Sequence, residues 1–254
     1  MVKKITIAID AMGGENAPKK NIEGLGIFLK KYERKDDFVI NLYGDEKIIN
    51  KELDEASITK KRIRVIHTDA VVSDEETPLT AIKNSKNTSM WNSIKSQVDG
   101  DVDISLSAGN TGVLLVISRM ILKTMSEVSK PALAGLWPSK KGMSVVLDLG
   151  ANIECDDKNL IDFSEMGAAL YKSIFPESKP CVSLLNIGSE EIKGTEMLKK
   201  AHTHLKKINN NNFQFNGYIE GNEIMNGDSN VIVTDGFTGN IALKTAEGTA
   251  KFIT

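Results

Sequence analysis

Five apolar runs in the sequence end in clusters of small and polar residues, and these clusters hold the groups with chemical potential. They are Asp10-Ala-Met-Gly13-Gly14, Ser107-Ala-Gly109-Asn110-Thr111-Gly112, Asp148-Leu-Gly150-Ala-Asn152, Asn186-Ile-Gly188-Ser-Glu190-Glu191 and Asp235-Gly-Phe-Thr238-Gly239-Asn240. Two of them share Gly-x-Thr-Gly, at 109–112 and 236–239, and each leads into an apolar helical stretch. Threonine can cap such a helix. Glycine lets an anion reach the exposed N–H groups, and the helix dipole favours negative charge there. Turn chemistry alone explains one such loop. Two alike, with three more polar strand ends, point to binding of a phosphate or a carboxylate. The stretch Lys83-Asn-Ser-Lys86-Asn-Thr88-Ser89-Met90 supplies further donors, of which Lys86 and Ser89 are natural phosphate contacts.

Other chemistries find less support. There is no GxxxxGK[ST], no standard dinucleotide fingerprint and no GxSxG elbow. His202 and His204 stand two apart and cannot share a helix face, so surface positions are expected rather than a metal site. Asp156, Asp157 and Glu165 read as a solvated helix start rather than metal ligands. Cys155 and Cys181 have no CxxC spacing and read as inert thiols of a reduced compartment. Lys199, Lys200, Lys206 and Lys207 read as a solvated face, with docking of an acidic protein as the functional alternative.

The elements that must position the polar loops are legible as alternating patterns. Strands are expected at 5–9, 38–43, 63–66, 103–106, 132–136, 144–149, 182–187 and 230–233, with another over 213–219. Most are continuous in Val, Ile and Leu, as strands buried on both faces are. Helices are expected at 21–32, 113–122, 160–174 and 195–208. Asn16 is a candidate cap for the first, with Pro18 in its first turn, and 113–122 is apolar enough to be buried. Strand–helix alternation implies an α/β fold with a mostly parallel sheet and helices on both faces. In such a sheet ligands sit at the carboxyl ends of the strands, so the five loops are expected to converge on one crevice.

With 254 residues the chain can bury a full core, and a net charge of −2 disfavours a strongly basic nucleic-acid binder. Its 32 cationic residues include only Arg34, Arg62, Arg64 and Arg119 as arginine. With the asparagine run at 209–212 this suggests a biased composition. It also means that lysines and backbone N–H groups would do most of the anion binding. The amino-terminal apolar run is too short for a signal peptide.

The blocks Asp10-Ala-Met-Gly-Gly14 with Asn16-Ala-Pro18, Ser107 to Gly112, Pro131-Ala-Leu-Ala134, Leu147 to Asn152, Leu184-Leu-Asn-Ile-Gly188 with Lys193-Gly194, Glu220-Gly221 and Asp235 to Asn240 occur in one order. Together they resemble the bacterial phosphate acyltransferase family of phospholipid synthesis, from Lys4 to Ala250. The resemblance implies attack of inorganic phosphate on the thioester of a long-chain acyl–acyl carrier protein, giving acyl phosphate for a membrane glycerol-3-phosphate acyltransferase. It implies an isocitrate/isopropylmalate dehydrogenase-like fold, shared with phosphate acetyltransferases, used without NAD, metal or other cofactor. It also implies a cytoplasmic homodimer, peripheral at the membrane. Phosphate is a competent nucleophile, so such a site must bind, orient and stabilise an oxyanion.

On this reading Asn110, Thr111, Asp235, Thr238 and Asn240 are the expected catalytic residues. Asp10, Gly13, Gly14, Lys86, Ser89, Ser107, Gly109, Gly112, Asp148, Asn152, Asn186, Gly188 and Gly239 are expected to bind substrate or phosphate. Which of Asp10, Asp148 and Asp235 orients groups or accepts a proton stays open. The sequence departs from the family pattern at Ser85, Thr88, Val113 and Lys130, and it ends where family members continue. A single domain over 1–254, incomplete at its C-terminus, is therefore expected. The alternatives are a short-chain phosphate acetyl- or butyryltransferase using coenzyme A thioesters, or an inactive truncated binding module.

Overall fold

The computed structural model describes residues 4–33, 37–73, 77–208 and 212–254. Arg34 and Asn209, Asn210 and Asn211 of the asparagine run lie outside them. The chain forms two compact units, Met1–Lys123 and Thr124–Thr254.

The first unit runs β1 (Ile5–Asp10), α1 (Lys19–Lys31), β2 (Phe38–Gly44), α2 (Glu46–Glu55), β3 (Ile63–His67), α3 (Pro78–Asn84), α4 (Ser89–Val98), β4 (Ile104–Ser107) and α5 (Thr111–Leu122). Its sheet is wholly parallel, ordered β3-β2-β1-β4. Alternate residues of β2 face opposite ways. Phe38, Ile40 and Leu42 pack with Ile22 and Leu25 of α1 and with Ile49 and Leu53 of α2. Helix α4 lies against β1, β2 and β4.

The second unit runs β5 (Ala134–Ser139), β6 (Gly142–Leu147), α6 (Asp157–Ile174), β7 (Cys181–Leu185), α7 (Glu196–Lys207), β8 (Gln214–Ile219), a 3-10 turn over Gly221–Asn226, β9 (Val231–Val233) and α8 (Gly236–Ile253). Its sheet is ordered β5-β6-β9-β7-β8, parallel except for β5 against β6. Val145, Leu147, Val182, Leu184, Val231 and Val233 face Leu160 and Phe163 of α6 and Leu205 of α7. Val146, Leu185 and Ile232 face the other way, with Ala242, Leu243 and Ala246 of α8.

Every expected strand is present, with ends shifted by a few residues. Helices α2 and α3 were not anticipated. They are short, and α2 depends on Asp45, whose carboxylate accepts the N–H groups of Lys47 and Ile48.

Two helix expectations need correction. Asn16 does not cap α1: Pro18 stands at the cap position without a side-chain bond, and Asn16 has φ 57°. Nor is α5 buried throughout. Val113 and Ile117 are buried, while Met120 and Leu122 are each 41% exposed, because α5 follows an edge strand and meets α3 and α4 on one side. No helix among the described residues is long and apolar enough to cross a membrane.

Candidate functional site

The site residues foreseen in the sequence divide between the units, each group at the carboxyl ends of its own strands. The first unit holds Asp10, Gly13, Gly14, Lys86, Ser89, Ser107, Gly109, Asn110, Thr111 and Gly112. The second holds Asp148, Asn152, Asn186, Gly188, Asp235, Thr238, Gly239 and Asn240.

In the first unit, Asp10 and Ser107 end neighbouring parallel strands in register. The Ser107 hydroxyl donates to Asp10 Oδ2 at 2.7 Å and accepts the Gly109 N–H at 3.1 Å. Asp10 is 1% exposed, and burial pushes its carboxyl above the usual range. The hydroxyls of Ser89 and Ser107 and the N–H groups of Met12 and Gly13 pull the other way. Ser89 is fully buried, and its hydroxyl has no partner of good hydrogen-bond geometry. It still lies close enough to favour the charged form of Asp10. Gly13 must be glycine, since a Cβ there would fall on the Asp10 carboxylate and 2.9 Å from Ser107 Oγ. Lys86 is exposed in the turn between α3 and α4, where Thr88 caps α4 through the Trp91 N–H.

The two Gly-x-Thr-Gly loops differ in a way their sequences conceal. Threonine caps neither helix. In the first loop the cap is Asn110, whose Oδ1 accepts the Val113 N–H at 3.1 Å, so Thr111 is the first helical residue. In the second the cap is Asp235, and the whole motif lies inside α8 with Thr238 as its third residue. Asp235 accepts both the N–H and the hydroxyl of Thr238, at 2.9 and 2.8 Å.

The Gly236 N–H goes to the Asn152 carbonyl at 2.8 Å and the Gly239 N–H to the Asp235 carbonyl. The α8 N-terminus is thus nearly closed and already faces a carboxylate. The α5 N-terminus has a neutral cap, and the N–H groups of Thr111 and Gly112 precede the first intrahelical bonds. The α5 end therefore suits an anion far better than the α8 end.

Asp148 is fully buried and saturated. It accepts from the N–H groups of Leu133, Gly150, Ala151 and Asn152 and from Asn152 Nδ2, at 2.8–3.1 Å. Asn152 Nδ2 also donates to the Pro131 carbonyl at 2.7 Å. Both side chains are consumed in holding the 148–152 loop and, through it, the start of α8. Asn240 is exposed beside Gly150. Gly188 lies against the Lys193–Glu190 ion pair, whose N···O distance is 2.8 Å.

Asn186 lines a cavity of about 820 Å³ within the second unit, together with Asp235, Thr238, Trp137, Leu185, Ile224, Leu198 and the Ile241–Ala246 face of α8. The sequence reading missed these apolar residues, because lining and core positions share one alphabet. The signal available was Asn186, a polar residue closing an apolar strand.

His202 is buried rather than at the surface. It stacks on Tyr218 with centroids 4.6 Å apart, and burial lowers its pKa. Asp156 caps α6 in a reciprocal pair with Asn159. Burial pushes both cysteine thiols up. Among the described residues, no group of three or more His, Cys, Asp or Glu is placed to hold a metal ion.

The architecture is that of the phosphotransacetylases. It is similar to the EutD phosphotransacetylase from Staphylococcus aureus, with TM-score 0.68 and 15% identity over 98% of this chain and 84% of that one. It is similar also to a phosphotransacetylase from Streptococcus pyogenes, with TM-score 0.68 and 14% identity over the same shares. This corrects the isocitrate/isopropylmalate dehydrogenase-like fold expected from sequence to a phosphotransacetylase-like α/β fold, matched over 98% of this chain. Strand–helix alternation is common to many doubly wound folds, and connectivity tells them apart.

Residues 5–254 match the family described as "Fatty acid synthesis protein". The chain is 54% identical to a phosphate acyltransferase of Pelagibacter ubique over 254 residues, which is 100% of this chain and 75% of that one. It is 42% identical to one of Afipia carboxidovorans, covering 71% of that protein. The chain belongs to the phosphate acyltransferase family of fatty-acid and phospholipid synthesis and is an acyltransferase enzyme.

Proposed function

We propose that the chain moves a long-chain acyl group from the thioester of acyl carrier protein to inorganic phosphate, and that the α5 N-terminus binds that phosphate. A phosphate oxygen attacks the thioester carbonyl carbon, the C–O bond forms, the C–S bond breaks, and the departing sulfur takes up the proton that hydrogen phosphate brought, so the carrier leaves as a thiol. The observation that carries the binding assignment is the contrast in capping: neutral Asn110 before α5, anionic Asp235 before α8. Thr111 and Gly112 offer N–H groups, with Lys86 as an exposed cation of the same unit.

Asp10 is a positioning residue in this reading. It holds Ser107, and through it Gly109, so that the loop presents Asn110 to Gly112. Asp148 and Asn152 position α8 in the same indirect way. Thr238 and Asn240 orient the acyl donor rather than the phosphate, while Gly239 lets α8 pack on the Asp148 carbonyl. The exposed lysines of α7 suit an acidic carrier: Lys200 and Lys207 stand beside Lys199 and Lys206, which pair with Glu196 and Glu191. The reading includes a cytoplasmic homodimer, peripheral at the membrane, whose product feeds a glycerol-3-phosphate acyltransferase.

The test is phosphate-dependent thiol release from palmitoyl–acyl carrier protein, with acetyl-coenzyme A as comparison. Thr111→Pro, which deletes one N–H but suits a first helical position, should raise the KM for phosphate. Thr238→Ala should leave that KM unchanged. A phosphate KM within a few-fold of wild type in Thr111→Pro and Gly112→Pro would remove the α5 loop from phosphate binding. Preference for acetyl-coenzyme A would replace the long-chain reading with the short-chain one.

A further inference from the structure

The glycine loop that follows β1 is held from behind by one side chain of α1. Asn21 Nδ2 donates both of its hydrogens to this loop, one to the Ala11 carbonyl and one to the Gly13 carbonyl, each at 2.9 Å. Both partners are acceptors, so the nitrogen of the amide, not its oxygen, faces the loop. The apolar packing of α1 is left to its neighbours Ile22 and Leu25.

Fixing the Gly13 carbonyl also fixes the group that follows it. The 13–14 peptide is trans, so its N–H points opposite to its C=O. The Gly13 oxygen is turned to Asn21, and the Gly14 N–H is thereby turned away from it. Among the described residues that N–H has no hydrogen-bond partner. Gly14 has φ 94°, a conformation that side chains rarely adopt.

The same loop packs against the loop that opens α5. A Cβ on Gly14 would meet the Ala108 carbonyl at 2.6 Å, and one on Gly109 would stand 3.5 Å from the Gly13 Cα. Asn21 thus sets the seat on which Ala108 and Gly109 rest, just before the Asn110 cap. An untethered 13–14 peptide is free to turn its oxygen where the N–H now stands. Backbone N–H groups gathered in one concavity attract an anion, and a carbonyl among them repels it.

We infer that Asn21 is a positioning residue for phosphate: it locks the Gly13–Gly14 peptide so that the Gly14 N–H donates to the anion, and it holds this loop against the one that opens α5. The inference rests on the transfer to phosphate proposed above. It adds a donor from the β1 loop and the side chain that aims it. Asn21 itself touches neither substrate nor a reacting atom.

Steady-state kinetics of Asn21→Ala and Asn21→Asp with palmitoyl–acyl carrier protein and varied phosphate test this, and calorimetric phosphate binding makes the same comparison without turnover. Both variants should raise the KM and the Kd for phosphate about tenfold, the worth of one hydrogen bond to a charged group. The KM for the acyl donor and kcat should stay within about twofold of wild type. Asn21→Asp keeps the shape of the side chain and loses the donors, so it should bind phosphate no better than Asn21→Ala. Ile40→Val thins the core under α1 without touching either loop. It should lower the melting temperature and keep the wild-type phosphate KM.

A wild-type phosphate KM and Kd in both Asn21 variants, or an equal rise in Ile40→Val, overturns the inference. Thr111→Pro separates it from the α5 assignment. Raised KM in the Asn21 variants with wild-type KM in Thr111→Pro supports the Gly14 donor and removes the α5 N–H groups. The reverse keeps α5 and overturns the inference. Phosphate binding that depends on Asn21, without phosphate-dependent thiol release, supports the inference and counts against acyl transfer.

Discussion

The Ser107 hydroxyl bonds the Asp10 carboxylate at 2.7 Å across 97 positions of sequence, joining the carboxyl ends of β4 and β1. Burial is the largest influence on Asp10 and raises its pKa, against the hydroxyl and N–H donors that favour the charged form. Because the folded pKa is raised, the folded state binds this proton more readily than the unfolded chain. The resulting stability is fully present below the ordinary carboxyl value of 3.8 and is lost as pH rises through the raised one. Urea unfolding of wild type and Asp10→Asn from about pH 4 to about pH 7 should show the wild type losing ground to the variant as pH rises. Parallel profiles would contradict the shift.

Asn110→Asp tests the contrast between the two helix starts. Aspartate caps as well as asparagine, so the melting temperature should hold. The added carboxylate opposes an anion at the Thr111 and Gly112 N–H groups and should raise the KM for phosphate at least about tenfold at low salt, less at high salt. An unchanged KM would place phosphate elsewhere.

The saturated carboxylate of Asp148 predicts a structural failure rather than a kinetic one. Asp148→Asn turns an acceptor into a donor facing N–H groups and should cost about 3 kcal/mol of stability or more. Gly239→Ala places its Cβ on the Asp148 carbonyl and should cost about 1–3 kcal/mol. Both are read in chemical denaturation. If Asp148→Asn folds as stably as wild type but has lost turnover, Asp148 acts directly in the chemistry.

Burial holds the Cys155 and Cys181 thiols protonated, so both should react with maleimide more slowly than a free cysteine at neutral pH. Cys155→Ser and Cys181→Ser should keep phosphate-dependent thiol release within about twofold of wild type. Loss of turnover on serine substitution, in a chain that still folds, would make a thiol part of the reaction.

Much of the fold and the polar loops could be read from residue order, because the deciding forces are local. A run such as Val231-Ile232-Val233 has no face to leave in water, and it becomes the central strand β9. Polar residues close the strands within each unit, Asp10 and Ser107 in the first and Asp148 and Asn186 in the second. The expected threonine caps misled, since a four-residue motif does not say where its helix begins. Asp235 and Asn110 set different starting points for the same Gly-x-Thr-Gly.

The sequence alone determined the strand–helix alternation, the family blocks and most of the residues worth testing, since these depend on side-chain type and short spacing. Tertiary structure decided what each residue is free to do. It saturated Asp148, buried Ser89 and His202, closed the α8 N-terminus with Asp235, and set Asn21 against the Ala11 and Gly13 carbonyls. Those outcomes turn on contacts between elements, and no local pattern records which donors reach a carboxylate or a loop carbonyl.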